Sequence, residues 1–115
     1  MEYSQLIKER YSVRKLTEQP VEEAKLAAVL EAARVAPTAV NKQPQRILVV
    51  RGAEGMEKLK AATPYTFGAG LALVVCFNKD EAWVRPFDNQ NSGYIDAAVV
   101  GAHIMLEIRW WARPA

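Results

Sequence analysis

The stretch "RILVV", Arg46 to Val50, is a short run of mainly branched apolar residues. Such a run predicts a strand that is buried on both faces of a sheet. A second run, "LALVVCF" from Leu71 to Phe77, predicts another buried strand, in which Cys76 would be a structural thiol. The two runs therefore predict a small sheet whose faces other elements must cover.

Helices are predicted before, between and after the two strands. The opening "EYSQLIKE" favours a short helix with Leu6 and Ile7 turned inward, and Pro20 is typical of the first position of a second helix. From Gly93 onward, a wide apolar surface with many small residues indicates a helix that is central to the domain or to an interface. The order helix, helix, strand, helix, strand, helix predicts an α+β or layered α/β domain.

Composition predicts one folded domain and argues against several classes of partner. The chain has 115 residues, half of them hydrophobic, and a net charge of +2 from 15 basic and 13 acidic residues. This balance does not favour nucleic acid or a membrane as the main partner. One cysteine excludes an intrachain disulfide, and neither a signal peptide nor an apolar run long enough to span a bilayer is evident. These features predict a cytoplasmic protein.

The segment "ERYSVRK", residues 9–15, carries two arginines and a serine at alternate positions. If the backbone is extended, Arg10, Ser12 and Arg14 project to the same side. Two guanidinium groups and a hydroxyl then form a cradle for a phosphate, which accepts charge-assisted hydrogen bonds. A solvated basic patch beside a helix is the alternative explanation.

A second polar segment, "APTAVNKQPQ", lies between the second helix and the first strand at residues 36–45. Its two prolines stiffen the connection, so Thr38, Asn41 and Gln43 are expected to be held in place. Amide side chains both donate and accept hydrogen bonds, which suits the polar edge of a planar heterocycle. An ordinary loop between a helix and a strand is the alternative.

Local motifs predict neither a metal site nor a catalytic side chain. His103 and Cys76 are the only histidine and cysteine, and no ligand spacing surrounds them. The "GAG" of residues 68–70 precedes a strand instead of following one, so it is not a dinucleotide-binding turn. Asp88 and Asp96 are explained by turn and helix N-terminal preferences.

Taken together, the two polar segments closely resemble the opening of the nitroreductase family of FMN-dependent oxidoreductases. The family pattern is R-x-S-x-R, a helix, and then A-P-S/T-x-x-N-x-Q-P before the first strand, and the chain has both parts in that order. The similarity extends from about Tyr3 to Leu106. It implies a layered α/β/α domain and a homodimer that binds FMN at its interface.

The resemblance also implies a role for particular residues. The first segment falls where the family holds the flavin phosphate and ribityl chain, and the second falls where the opposite subunit covers the flavin. Hydride would pass from NAD(P)H as co-substrate through FMN to a nitroaromatic, quinone or enone. The cofactor-binding residues implied in this way are Arg10, Tyr11, Ser12, Arg14, Pro37, Thr38, Ala39, Asn41 and Gln43.

The end of the chain departs from the family pattern. After Leu106, the sequence "EIRWWARPA" at residues 107–115 does not match the expected continuation into further strands. Residues 1–115 are therefore expected to form a single domain that is incomplete at the C-terminus, with an atypical tail from truncation or a change of reading frame. The alternative to an active enzyme is a truncated non-catalytic remnant, or a module that binds phosphate, flavin or another partner.

Overall fold

The computed structural model describes residues 2–112, and its helices and strands follow the predicted order. One turn of 3-10 helix precedes the first strand. The elements are α1 (Tyr3–Glu9), α2 (Glu23–Val35), the 3-10 turn (Ala39–Asn41), β1 (Gln45–Arg51), α3 (Gly52–Ala62), β2 (Leu71–Phe77) and α4 (Gly93–Trp111).

The two strands form an antiparallel pair in which Gln45 lies opposite Phe77 and Arg51 lies opposite Leu71. The prediction that both faces are buried is wrong for β1, because Leu48 is 57% exposed. Cys76 is also exposed, so the prediction of a buried thiol is wrong as well. Both side chains lie on the outer face of the sheet, which α3 approaches near Val50.

The core lies on the inner face of the sheet, beneath α2 and α4. Alternate residues of each strand point toward this face, while small and branched residues of the helices fill the space above them. The cluster consists of Val29, Ala33, Ala36, Val100 and Ile104, with Ile47, Leu73 and Val75 packed against it. On the outer face, Gly55 of α3 comes close to Val50.

The start of the second helix and the burial of the first helix differ from the sequence expectation. Helix α2 begins at Glu23 and not at Pro20, because the backbone is still extended at Glu22. Helix α1 has no fully buried side chain: Leu6 is half-buried, but Ile7 is 44% exposed, so the predicted inward face is wrong for Ile7. This short helix contacts α4 but does not reach the core cluster.

Helix α4 has two different apolar faces. Val100 and Ile104 are buried in the core. The opposite face carries a row of exposed apolar residues at spacings of three and four, which places them in one line along a helix. This row, here called the α4 stripe, consists of Ile95, Ala98, Ala102 and Met105.

The described part of the tail continues α4. Residues 107–111 are helical, and the Trp111 indole donates a hydrogen bond of 3.0 Å to Glu107. The rest of the predicted atypical tail, residues 113–115, lies outside the described residues. Between residues 2 and 112, none of the helices is both long and apolar enough to span a membrane.

Candidate functional site

The first polar segment leaves α1 at Arg10, where the backbone is extended, and bends at Arg14. Strict alternation therefore does not continue through all three predicted residues. Tyr11, Ser12 and Arg14 are exposed and Arg10 is half-buried. Within residues 2–112, the side chains of Arg10 and Ser12 make no hydrogen bond or ion pair. Their donors are thus available to a bound anion.

The segment after α1 is attached to the loop that precedes β2. The backbone N–H of Leu16 donates a hydrogen bond of 2.7 Å to the carbonyl of Phe67. The guanidinium carbon of Arg14 lies 5.3 Å from the centre of the Phe67 ring, a cation–π distance. Gly68 has φ +82°, and a Cβ there would be 2.9 Å from the Leu16 carbonyl oxygen, so the close approach requires glycine. The contacts fix the backbone of the segment and leave its donors exposed.

The second polar segment is held by its own side chains. The hydroxyl oxygen of Thr38 accepts hydrogen bonds from the backbone N–H of Gln43 at 3.0 Å and from its side-chain amide at 3.1 Å. The same amide donates to the Asn41 side-chain oxygen at 2.6 Å. Pro37 is exposed and Ala39 is half-buried. These bonds organise residues 38–43, here called the amide loop.

Gln45 connects the amide loop to α2. Its side-chain N–H₂ donates to the Gln43 side-chain oxygen at 2.8 Å and to the Ala33 carbonyl at 3.1 Å. Its own oxygen is buried without a partner among the described residues. Gln45 was not among the predicted site residues, since the apolar run that follows it suggests only the start of a strand.

Asp96 connects the amide loop to α4. One carboxylate oxygen accepts a hydrogen bond of 2.9 Å from the backbone N–H of Ala39, and the other accepts one of 2.7 Å from the Ser92 hydroxyl. Asp96 is 2% exposed and Ser92 is 6% exposed. From its sequence context, Asp96 was expected only as an acid at a helix start. No local pattern reveals this contact, because 57 positions separate its partners.

The turn before α4 is fixed by an ion pair. The Arg85 guanidinium donates hydrogen bonds of 2.9 Å and 2.5 Å to the two carboxylate oxygens of Asp88. These bonds lower the pKa of Asp88 below its ordinary value. The backbone N–H of Ser92 then donates to the Trp83 carbonyl at 2.8 Å, which aligns the start of the helix.

The two polar segments lie toward opposite ends of α4. The amide loop contacts Asp96 in the first turn, whereas Glu9, next to Arg10, accepts a hydrogen bond of 3.4 Å from Arg109 near the last turn. A helix rises by about 1.5 Å per residue, so Asp96 and Arg109 are about 20 Å apart along the axis. One chain therefore groups Pro37, Thr38, Ala39, Asn41 and Gln43, and separately groups Arg10, Tyr11, Ser12 and Arg14.

Residues 7–67 match the sequence profile of the nitroreductase family. A crystal structure of a nitroreductase family protein from Clostridium difficile 630 superposes with a TM-score of 0.91 and 41% identity, over 96% of this chain and 64% of that one. A provisionally named nitroreductase from Desulfovibrio desulfuricans, solved in complex with FMN, superposes with a TM-score of 0.80 and 26% identity. That alignment covers 94% of this chain and 62% of the other. The chain belongs to the nitroreductase family.

A relative from Methanothermobacter thermautotrophicus, provisionally named NADH dehydrogenase/NAD(P)H nitroreductase, is 35% identical over 79 residues. The match covers 66% of this chain and 41% of that relative. The chain thus spans about two fifths of the relative's length and less than two thirds of the two solved structures. The fold class is confirmed over the part that it spans.

The donor groups on the two polar segments fit FMN. Arg10 and Ser12 offer unpaired donors for a phosphate, and Arg14 adds a second exposed guanidinium. The amide loop carries the side-chain amides of Asn41 and Gln43, a residue type that suits the donors and acceptors of a flat, conjugated ring system. Within residues 2–112, no group of three or more metal-ligating side chains is present.

Proposed function

We propose that this chain binds FMN at a site shared between two copies and acts as an NAD(P)H-dependent oxidoreductase. The observation that carries the proposal is the placement of the two family motifs at opposite ends of α4. Each motif suits one part of FMN, yet the α4 residues that the two motifs contact, Asp96 and Arg109, are about 20 Å apart along the helix axis. This separation supports a site that a second copy completes.

The first segment would hold the FMN phosphate. Arg10 and Arg14 supply positive charge and planar pairs of donors, and Ser12 supplies a hydroxyl. All three lie in a segment whose backbone is fixed by the Leu16 to Phe67 hydrogen bond. A fixed backbone reduces the conformational entropy lost when the phosphate binds.

The amide loop would contact the flavin ring. Thr38, Asn41 and Gln43 are already hydrogen-bonded to one another, so their polar groups have fixed directions. The exposed Asn41 side-chain N–H₂ and backbone groups of the loop can hydrogen-bond to ring nitrogens and oxygens. These contacts determine the orientation of the ring and thereby which face is open to a second molecule.

The α4 stripe would pack against the same stripe of a second copy. Ile95 is 64% exposed and Met105 is 49% exposed, while Ala98 and Ala102 between them allow two helices to approach closely. A twofold axis makes such a contact self-complementary. With antiparallel helices centred on the stripe, Asp96 of one copy and Arg109 of the other come within about 8 Å along the axis. This arrangement brings opposite half-sites together.

When bound, FMN would supply the redox chemistry for hydride transfer between NADH or NADPH and an acceptor such as a nitroaromatic, quinone or enone. The residues of the chain bind and orient the cofactor, and the packed helices exclude water from one side of the site. No side chain of the chain is proposed to act as a nucleophile or proton donor.

A flavin-binding or phosphate-binding module without turnover is the second candidate. Its support is the set of donors on Arg10, Ser12 and Arg14, which suits a phosphate whether or not turnover follows. The two candidates differ in whether bound flavin is reduced by NAD(P)H and reoxidised by an acceptor.

The test is the visible absorbance spectrum of the purified full-length chain, with its mass measured by light scattering. Flavin bands in a dimer-sized species support the shared site, and oxidation of NADH or NADPH with a nitroaromatic then supports the enzyme. Flavin binding without turnover would favour the second candidate. A chain that neither carries flavin nor takes up added FMN would refute both flavin proposals.

A further inference from the structure

The amide loop has a backbone that its own sequence does not favour. Val40, Asn41 and Gln43 have φ values of +54°, +55° and +52°. Residues with a side chain rarely adopt this left-handed region, and a β-branched residue such as valine is least suited to it. Such backbone persists only where surrounding contacts determine it. The contacts that hold the loop are therefore part of what defines the site.

Asp96 provides the contact from α4. Its carboxylate accepts the Ala39 N–H at 2.9 Å, one residue before the first left-handed position. The Ser92 hydroxyl, at 2.7 Å, holds the other carboxylate oxygen and so sets the orientation of the group. Both side chains are buried, and a charge-assisted hydrogen bond in such surroundings is stronger than one exposed to water.

A general preference for acids in the first turn of a helix does not explain this arrangement. That preference concerns interaction with the helix's own N–H groups and the positive end of its dipole. Here the Asp96 carboxylate accepts one hydrogen bond from a loop 57 positions earlier and one from the Ser92 hydroxyl. The carboxylate is thus aimed at the amide loop.

We infer that Asp96 is a positioning residue, which acts through the Ala39 N–H to hold the amide loop in the shape that contacts the flavin ring. The inference rests on the proposed function for its ligand and on the structure for its geometry. Asp96 need not touch the flavin itself. Its effect should fall on the ring and not on the phosphate, because Arg10 and Arg14 lie toward the other end of α4.

The test compares Asp96→Ala, Asp96→Asn and Ser92→Ala with the wild-type full chain, and Asp80→Ala, an exposed aspartate, is the control. Dissociation constants are measured for FMN and for riboflavin, which lacks the phosphate. Hydrogen exchange of residues 38–43 is measured without flavin. The asparagine variant can still accept from Ala39 and donate to the Ser92 hydroxyl.

Asp96→Ala is expected to weaken the binding of FMN and of riboflavin by the same factor, about tenfold to a hundredfold. It should also speed hydrogen exchange in the amide loop. Asp96→Asn should restore affinity to within about threefold of wild type. Ser92→Ala keeps the hydrogen bond from the Ala39 N–H to Asp96, so it should weaken the binding of both ligands by only about threefold. If Asp96→Ala does not fold, the test is made with Ser92→Ala and Asp96→Asn.

The inference would be overturned if Asp96→Ala had the same loop hydrogen exchange and the same flavin affinity as wild type. It would also be overturned if Asp96→Asn and Asp96→Ala lost flavin affinity equally. A larger loss for FMN than for riboflavin would also overturn it, because the effect would then fall on the phosphate. If the wild-type chain binds no flavin but Asp96→Ala still speeds hydrogen exchange in the amide loop, the role of Asp96 in holding the loop is supported. The proposed function alone then fails.

Discussion

Arg109 donates a hydrogen bond of 3.4 Å to Glu9, although the two residues are 100 positions apart. The bond joins the last turns of α4 to the residue that precedes Arg10. Both side chains are partly exposed, so the pair contributes little to overall stability. Its effect is on geometry, because it sets where the first polar segment leaves α1 relative to α4.

Replacing Arg14 by alanine should weaken FMN binding by about tenfold or more, because the phosphate loses a charge-assisted hydrogen bond. Riboflavin binding should stay within about twofold of wild type, since that ligand has no phosphate. Titration of flavin fluorescence measures both constants. Lys15→Ala removes an exposed positive charge from the neighbouring position and is the matched control. Equal losses for FMN and riboflavin would contradict the phosphate role.

Replacing Ala98 by arginine should convert a dimer into a monomer. The new side chain places a charge and extra volume in the middle of the α4 stripe, where the two helices would be in contact. FMN affinity should fall at least tenfold with the dimer, because each site needs both copies. Light scattering and flavin titration measure the two effects.

Ala27→Arg provides the control, because Ala27 is an exposed alanine of α2 that lies away from the α4 stripe. This variant should remain dimeric. A monomeric Ala98→Arg protein that binds FMN with wild-type affinity would refute the shared site.

Replacing Gly93 by alanine should lower the free energy of unfolding by about 1–3 kcal/mol. A Cβ at this position would lie 2.1 Å from the ring of Phe77, which also packs edge-on against Tyr94 at 5.0 Å between ring centres. The matched change Gly101→Ala has no atom within 4 Å of the new Cβ. It should raise the free energy of unfolding by about 0.5–1 kcal/mol, since alanine favours helix. Urea denaturation measures both, and a stabilised Gly93→Ala protein would contradict this packing.

Replacing Val40 by glycine should raise the free energy of unfolding by up to about 1 kcal/mol, because glycine adopts positive φ without strain. Val40 is 67% exposed, so little packing is lost. Val35→Gly, at an exposed valine that ends α2, should instead lower the free energy by about 0.5–1 kcal/mol. Thermal and urea unfolding measure the pair. A clear loss of stability in Val40→Gly would show that its backbone is not strained.

Local patterns predicted the elements of the fold but not which of their faces are covered. The apolar runs of β1 and β2 identify strands, and the apolar rhythm after Gly93 identifies α4. Whether Leu48 and Cys76 are buried depends on what covers the outer face of the sheet, and α3 covers only one end of it. The start of α2 also differed from the prediction, at Glu23 instead of Pro20, since proline permits a helix start without requiring one.

The candidate site was predictable where its residues are neighbours in the sequence. Arg10, Ser12 and Arg14 form a recognisable spacing, and so do Asn41 and Gln43 beside their prolines. The supporting residues were not predictable, because Asp96 contacts Ala39 across 57 positions and Arg109 contacts Glu9 across 100 positions. A buried carboxylate at a helix start has the same local sequence as an exposed one.

The length of α4 sets the distance between the two polar segments of one chain. The amide loop contacts Asp96 near the start of the helix, and the first polar segment contacts Arg109 near its end. One inserted residue would add about 1.5 Å and turn everything beyond it by about 100°, which moves one half of the stripe off its line. Seven inserted residues would restore the direction but lengthen the helix by about 10 Å. Under the proposed shared site, the number of residues in α4 would therefore determine the size of the molecule that fits, although α4 need not touch that molecule.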